Sequence, residues 1–145
     1  MRIIAQRVSH SRVIVENSII SELENGLLLY IGFSQNDTTA EADFLADKVL
    51  NLRIFEDNNG KMNLSVKDID GQINIISQFT LYADTSRGRR PGFSEALKPD
   101  KAEVLYEYFI KLVKRSGLKI GEGAFGNYMK IESINEGPAT FILEK

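Results

Sequence analysis

The chain has no cysteine and no tryptophan, a single histidine and only three prolines. Without cysteine there can be no disulfide, iron–sulfur cluster, thiolate zinc site or thiol nucleophile. With His10 alone, histidine-rich metal sites are excluded and a Ser–His–Asp triad would hang on one residue. His10 stands among Ser9, Ser11 and Arg12, where a hydrogen-bonded surface histidine is a simpler reading than a general base. Long apolar runs are missing as well: Leu27–Ile31 falls far short of the roughly 20 residues a membrane-spanning helix needs. Neither sign of charge dominates. Lys and Arg number 18 against 20 Asp and Glu, a net charge of −2 with neutral histidine, so contact with a polyanion must be local. The first residues lack a sustained apolar run and a small-residue cleavage site, so they read as mature structure of a cytoplasmic protein. What remains for chemistry is hydroxyls, carboxylates, amides, backbone groups and the substrate itself. No metal or cofactor is expected.

What is present describes one domain over residues 1–145. Ile3-Ile4, Val13–Val15 and Ile19-Ile20 are short β-branched stretches, with Glu16-Asn17-Ser18 as a turn between the last two. After Asn25-Gly26 the apolar run Leu27–Phe33 reads as a strand buried on both faces. Ser34–Thr38 offers helix N-caps, and Ala42, Leu45, Val49 and Leu52 recur at helical spacing. Asp57–Gly60 is a turn between Arg53–Phe55 and Met62–Leu64, and Asp70-Gly71 introduces a strand from Gln72 to Leu81. A basic loop, Asp84 to Lys98, carries Arg87, Arg89, Arg90 and Lys98. A second helix follows Pro99-Asp100, with Ala102, Leu105, Phe109, Leu112 and Val113 as its stripe and Gly117 as its stop. Tyr128–Ile134 and Ala139–Leu143 then read as strands separated by a turn at Asn135–Pro138. Strands outnumber helices and βαβ alternation is absent. The expected architecture is α/β: a mixed, mostly antiparallel, curved sheet packed with two main helices.

Gly121–Gly126 fits the spacing GxGxxG, but a strand-like segment follows where a dinucleotide fold needs a helix, so a glycine-rich turn is the better reading. The acidic residues are scattered over helix faces and turns, which leaves no carboxylate pair. Ser77-Gln78-Phe79-Thr80-Leu81 is more informative, since a core strand switches to hydroxyls and an amide at its end; such residues also simply satisfy strand ends. Asn135-Glu136-Gly137-Pro138-Ala139-Thr140 is the second candidate segment.

Taken together, these two segments resemble the D-aminoacyl-tRNA deacylase family. Gln6-Arg7-Val8, Asn51–Phe55, Gly60–Leu64, Tyr82–Asp84 and Gly88–Pro91 carry the resemblance over essentially the whole chain. Glu136 and Ala139 stand where Asp and Val are common in the family. The resemblance implies that family's barrel-like fold, a homodimer with active sites at the subunit interface, and hydrolysis of the ester linking a D-amino acid to the terminal adenosine of tRNA. It implies a cis Gly137–Pro138 bond whose carbonyls reject L-aminoacyl groups, with glycyl-tRNA also accepted, and Arg7 bracing that segment. Ser77, Gln78, Phe79 and Thr80 would line the ester, the Phe79 and Thr80 N–H groups holding the oxyanion. Phe125 and Met129 would pack on the adenosine or the aminoacyl group. Thr80 lacks an activating base, so water assisted by the ribose 2′-hydroxyl is preferred over threonine attack. Arg87, Arg89 and Arg90 are the candidate contact with tRNA phosphates, and a catalytically inactive nucleic-acid-binding module on the same fold is the alternative.

Overall fold

In the computed structural model, which describes residues 1–145, the first half of the chain is governed by strand pairing. β1 (Arg2–Val15) buries Ile3, Ala5, Val8 and Val13, then turns at Glu16 and Asn17, with φ of 49° and 66°, into β2 (Ser18–Leu23). Two successive positive φ values match the twist of an antiparallel hairpin. The stretches around Ile3 and Val13, expected as separate, belong to this one strand. The polar residues between them do not interrupt it because β1 is paired along both edges, by β8 (Lys130–Glu144) on one side and by β3 (Gly26–Gly32) and then β2 on the other. As expected, β3 is buried; it lies between β1 and the parallel β6 (Gln72–Ser77). A Cβ on Gly26 would meet the Gln72 carbonyl oxygen at 1.8 Å, so this pairing begins at a backbone approach only glycine permits.

α1 (Thr39–Asn51) starts at a capping box: Thr38 Oγ1 accepts from Ala40 N at 3.2 Å and the Glu41 carboxylate accepts from Thr38 N at 2.8 Å. A small hairpin, β4 (Phe55–Glu56) and β5 (Met62–Leu64), turns on Asp57, whose carboxylate accepts from Asn59 N at 2.8 Å and Lys61 N at 3.1 Å. α2 (Pro99–Lys114) buries Ala102, Leu105, Phe109 and Val113 as read; Tyr106 and Ile110 complete the stripe, and Leu112 is only partly buried.

Two other expectations fail on pairing. The strand expected to run to Leu81 stops at Ser77, because Phe79–Tyr82 winds into a single 3-10 turn. Asn135–Pro138 is not a turn between strands: β8 runs unbroken through it, and the ladder with β1 shifts register between Gln6 and Val8 and again between Val8 and His10. The segment is a bulge on a continuous strand.

The sheet order is β2-β1-β3-β6-β7, with β7 (Ile120–Glu122) parallel to β6 and β8 beside β1. Both helices cover one face, where Leu29, Ile75, Leu45 and Phe109 share the main core. The opposite face gathers Val8, Val13, Leu28 and Ile76. The two ends of the sheet meet: Ser21 Oγ on β2 donates to Asn74 Oδ1 at 2.6 Å, Asn74 Nδ2 donates to Ser11 Oγ at 2.7 Å, and Lys119 Nζ donates to the Glu22 carbonyl at 3.4 Å. The result is a nearly closed, barrel-like mixed sheet. No helix is long and apolar enough to cross a membrane.

Candidate active site

A cavity of about 730 Å³ lies where β3 and β6 end, walled mainly by apolar side chains. Of the residues singled out from sequence, Ser77, Gln78, Phe79, Phe125 and Met129 line it. The strand switch noted in the sequence thus coincides with the lining of this cavity. The Gln78 N–H donates to the Ile31 carbonyl at 2.7 Å, which pins the chain to β3 just before it leaves the sheet. Leu81 N then donates to Gln78 O at 3.3 Å and Ala83 N to Thr80 O at 3.1 Å. The N–H groups of Phe79 and Thr80 precede the first bonded amide of this turn, so they are the two it leaves free. From outside the turn, Arg2 Nη1 donates to the Leu81 carbonyl at 2.5 Å, and the guanidinium lies 5.0 Å from the centre of the Tyr82 ring.

Thr80 is exposed and outside the cavity lining, where its hydroxyl accepts from the Gln78 side-chain amide. No carboxylate or imidazole lines the cavity. His10 lies elsewhere, 3.0 Å from Glu22 Oε1 on the β1–β2 surface. The glycine-rich segment after β7 leads into no helix, and its Phe125 faces the cavity.

Tyr106, which sequence periodicity missed, does not line the cavity but packs behind Phe125. Its hydroxyl donates to Ile75 O at 2.6 Å, and its ring centre lies 5.7 Å from that of Phe125. Burial pushes the phenol pKa above its ordinary value. Phe93, Lys98, Asn127 and Tyr128 also line the cavity. Phe93 meets Phe79 with ring centres 5.0 Å apart. Phe93, Lys98 and Asn127 lie in loops or at a helix start, where no periodicity marks them, and Tyr128, expected to begin a strand, lies before β8, which starts at Lys130.

The second motif is built differently. Arg7, nearly buried at 9% exposure, donates from Nε to Glu136 O at 3.1 Å and from Nη1 to Ile54 O at 2.8 Å. Asn135 Oδ1 accepts from Ala139 N at 2.8 Å, closing the bulge from the other side. Within it Gly137 has φ of 127°, and the Gly137–Pro138 bond is cis. Gly137 and Pro138 are exposed, and neither they nor Arg7 line the cavity of their own chain. The fold therefore presents the two motifs at separate places. Arg87, Arg89 and Arg90 project from a loop closed by paired bonds of 2.8 Å between Asp84 and Gly92, and none has an ion-pair partner.

With this geometry in view, comparison with known proteins is specific. A family model described as D-Tyr-tRNA(Tyr) deacylase matches residues 4–144. The chain is 49% identical, over 99% of its length and 97% of the relative's, to a D-aminoacyl-tRNA deacylase of Thermotoga petrophila. It is 48% identical to the protein of that name from Clostridioides difficile, again over 99% and 97% of the two chains. Among solved structures, a c-Myc DNA unwinding element binding protein superposes with a TM-score of 0.94 at 37% identity, covering 100% of this chain and 99% of that one. A probable eukaryotic D-amino acid tRNA deacylase shares the fold, with a TM-score of 0.86 at 19% identity over 98% and 97% of the chains. Matched from end to end in sequence and in fold, the chain belongs to the D-Tyr-tRNA(Tyr) deacylase family.

Proposed function

We propose that the protein hydrolyses the ester of D-aminoacyl-tRNA, releasing free tRNA and the D-amino acid. The observation that carries this reading is the 3-10 turn beside the cavity, which offers two free backbone N–H groups next to a lining with no carboxylate or imidazole. Such a site suits an ester that needs its oxyanion held and brings its own hydroxyl. Water adds to the ester carbonyl carbon, and the oxyanion accepts hydrogen bonds from the Phe79 and Thr80 N–H groups. The C–O bond to the ribose then breaks, and the ribose oxygen takes up the proton the water has lost, relayed by the neighbouring 2′-hydroxyl. Thr80 orients Gln78 rather than attacking, since no base lies beside it. Phe79, Phe93, Phe125 and Met129 supply apolar walls for the adenosine and aminoacyl groups.

Chiral selection is assigned to Gly137 and Pro138, supplied by a second copy of the chain. β8 pairs only with β1, leaving the outer edge of a 15-residue strand open, with Ile134 and Ile142 exposed at 58% and 66%. An open edge of that length needs a cover, and a homodimer would bring the bulge of one protomer to the cavity of its partner. There the bulge carbonyls would accept from the substrate ammonium and leave no room for an L side chain, while a D side chain points away unread. Glycine, which has nothing to exclude, is accepted too.

The test is deacylation of D-Tyr-tRNA, L-Tyr-tRNA and Gly-tRNA by the purified protein. Loss of the D-tyrosyl and glycyl esters with L-Tyr-tRNA spared is the expected result. Equal hydrolysis of both enantiomers would remove the chiral role, and no hydrolysis would remove the enzyme. The name of the 37%-identical structure keeps one other reading open, a module that binds nucleic acid without catalysis. It predicts binding with no amino acid released.

A further inference from the structure

We infer that Lys98 reads the phosphate on the 5′ side of the terminal nucleoside, so that the site recognises a nucleotide rather than a nucleoside ester. The inference rests on the deacylase reading above. Lys98 is the one charged side chain among the residues lining the cavity. It takes part in none of the protein's ion pairs, so its charge is not already spent on a carboxylate. It is also exposed, which places the ammonium at the rim rather than in the apolar interior.

Its backbone strengthens the case. Lys98 precedes α2 with φ of −59° and ψ of 143°, and its carbonyl accepts from Ala102 N at 2.9 Å. No side chain caps this helix, and Lys98, Pro99 and Ala102 all line the cavity, so the positive end of a 16-residue helix faces the same rim. Asp100, in the first turn, is exposed and outside the lining. Two features of one sign thus meet at the edge of a low-dielectric wall, where a charge pair is worth more than on open surface.

The chain also orders the positive charge along a path. Phe93 belongs to the cavity wall, and Arg90 stands three residues before it, within about 10 Å of chain reach. On this inference an esterified nucleoside seated in the cavity meets Lys98 with its first phosphate. Carboxylates are absent from the lining, so nothing there repels that path.

The experiment compares two small D esters, 3′-O-D-tyrosyl-adenosine and its 5′-monophosphate, with wild-type protein, Lys98→Met, Lys98→Arg and Lys101→Met. One charged hydrogen bond predicts about a tenfold higher kcat/KM for the phosphorylated ester in the wild type, expressed in KM. Lys98→Met is expected to reduce that preference to within about twofold with kcat unchanged, whereas Lys98→Arg and the exposed Lys101→Met keep it. Equal use of the two esters by the wild type, or an undiminished preference in Lys98→Met, overturns the inference and leaves the deacylase reading intact. If the small esters turn over too slowly, D-Tyr-tRNA replaces them. Lys98→Met must then raise KM and lower the salt slope by about one, and an unchanged slope overturns the inference. Failure of the wild type on every D ester, D-Tyr-tRNA included, instead sinks the deacylase reading and this inference with it.

Discussion

Arg7 illustrates how much one buried cation can organise. Its guanidinium satisfies the Glu136 and Ile54 carbonyls and lies 3.9 Å from Glu56 Oε1, tying the β8 bulge to the start of the small β4–β5 hairpin. Arg7→Met keeps much of the stem but removes the bond to the part-buried Glu136 carbonyl and strands the buried Ile54 carbonyl, at a cost of about 1–3 kcal/mol for the buried group left unpaired. Chemical denaturation is expected to show that loss. A midpoint equal to wild type would mean the bulge holds itself. Gly137 is a second such position, because a Cβ there would sit 3.0 Å from both Arg7 Nη2 and Ala139 N, at a φ of 127° that L residues rarely adopt. Gly137→Ala should therefore cost about 1–3 kcal/mol through backbone strain, measurable in the same titration. Thr80→Ala, in contrast, removes an exposed hydroxyl bonded to Gln78, and is expected to keep D-Tyr-tRNA hydrolysis within about tenfold, the lower end of what a positioned catalytic group contributes being a hundredfold. Abolished turnover in a folded Thr80→Ala protein would make the hydroxyl the nucleophile after all.

At the level of elements, local signals were legible wherever a residue's own chemistry decides the outcome. Thr38 and Glu41 announce the start of α1, Asp57–Gly60 a turn, and Pro99 and Gly117 bracket α2 with its short C-terminal extension. The errors fall where pairing decides instead. Gln6 to Ser11 looks like a break in the pattern but is held extended by neighbours on both edges, and Asn135–Pro138 carries turn residues yet remains in strand because β1 shifts register to accommodate it. Likewise, Thr80 and Leu81 have strand character, but Ser77 is where the pairing with β3 ends, so the chain is free to coil. Half of the site was legible for the same reason. The Ser77–Phe79 switch and Phe125 are marked in sequence, whereas Phe93, Lys98 and Tyr106 are brought in by tertiary packing. One element makes a pH prediction. Backbone N–H groups of Lys61 and Asn59 hold the Asp57 carboxyl below its ordinary pKa. A carboxyl depressed on folding stabilises the turn above its unfolded pKa of about 3.9 and ceases to do so as pH falls through the lower folded value. NMR titration should place Asp57 below that of an unstructured aspartate.

For the whole molecule, the net charge of −2 means that affinity for a polyanion rests on the distribution of charge. Replacing Arg87, Arg89 and Arg90 together with Gln should weaken tRNA binding and lower the salt slope by up to about three, one counterion for each phosphate no longer neutralised. A slope equal to wild type would take the loop out of the interface. Closure of the sheet is the other global property, and it is unequal around the circumference. β2 and β7 form no ladder with each other; the seam is held by Ser21, Asn74 and Lys119 side chains and by Gly121, where a Cβ would come within 1.9 Å of Ser21 Oγ. A wall stitched by three side chains where every other joint is a ladder has a preferred tear line. In amide exchange, β7 should lose its protons well before β3 and β6, and a bulkier residue at 121, which must displace the Ser21 and Asn74 side chains, should make that seam the first part of the wall to open.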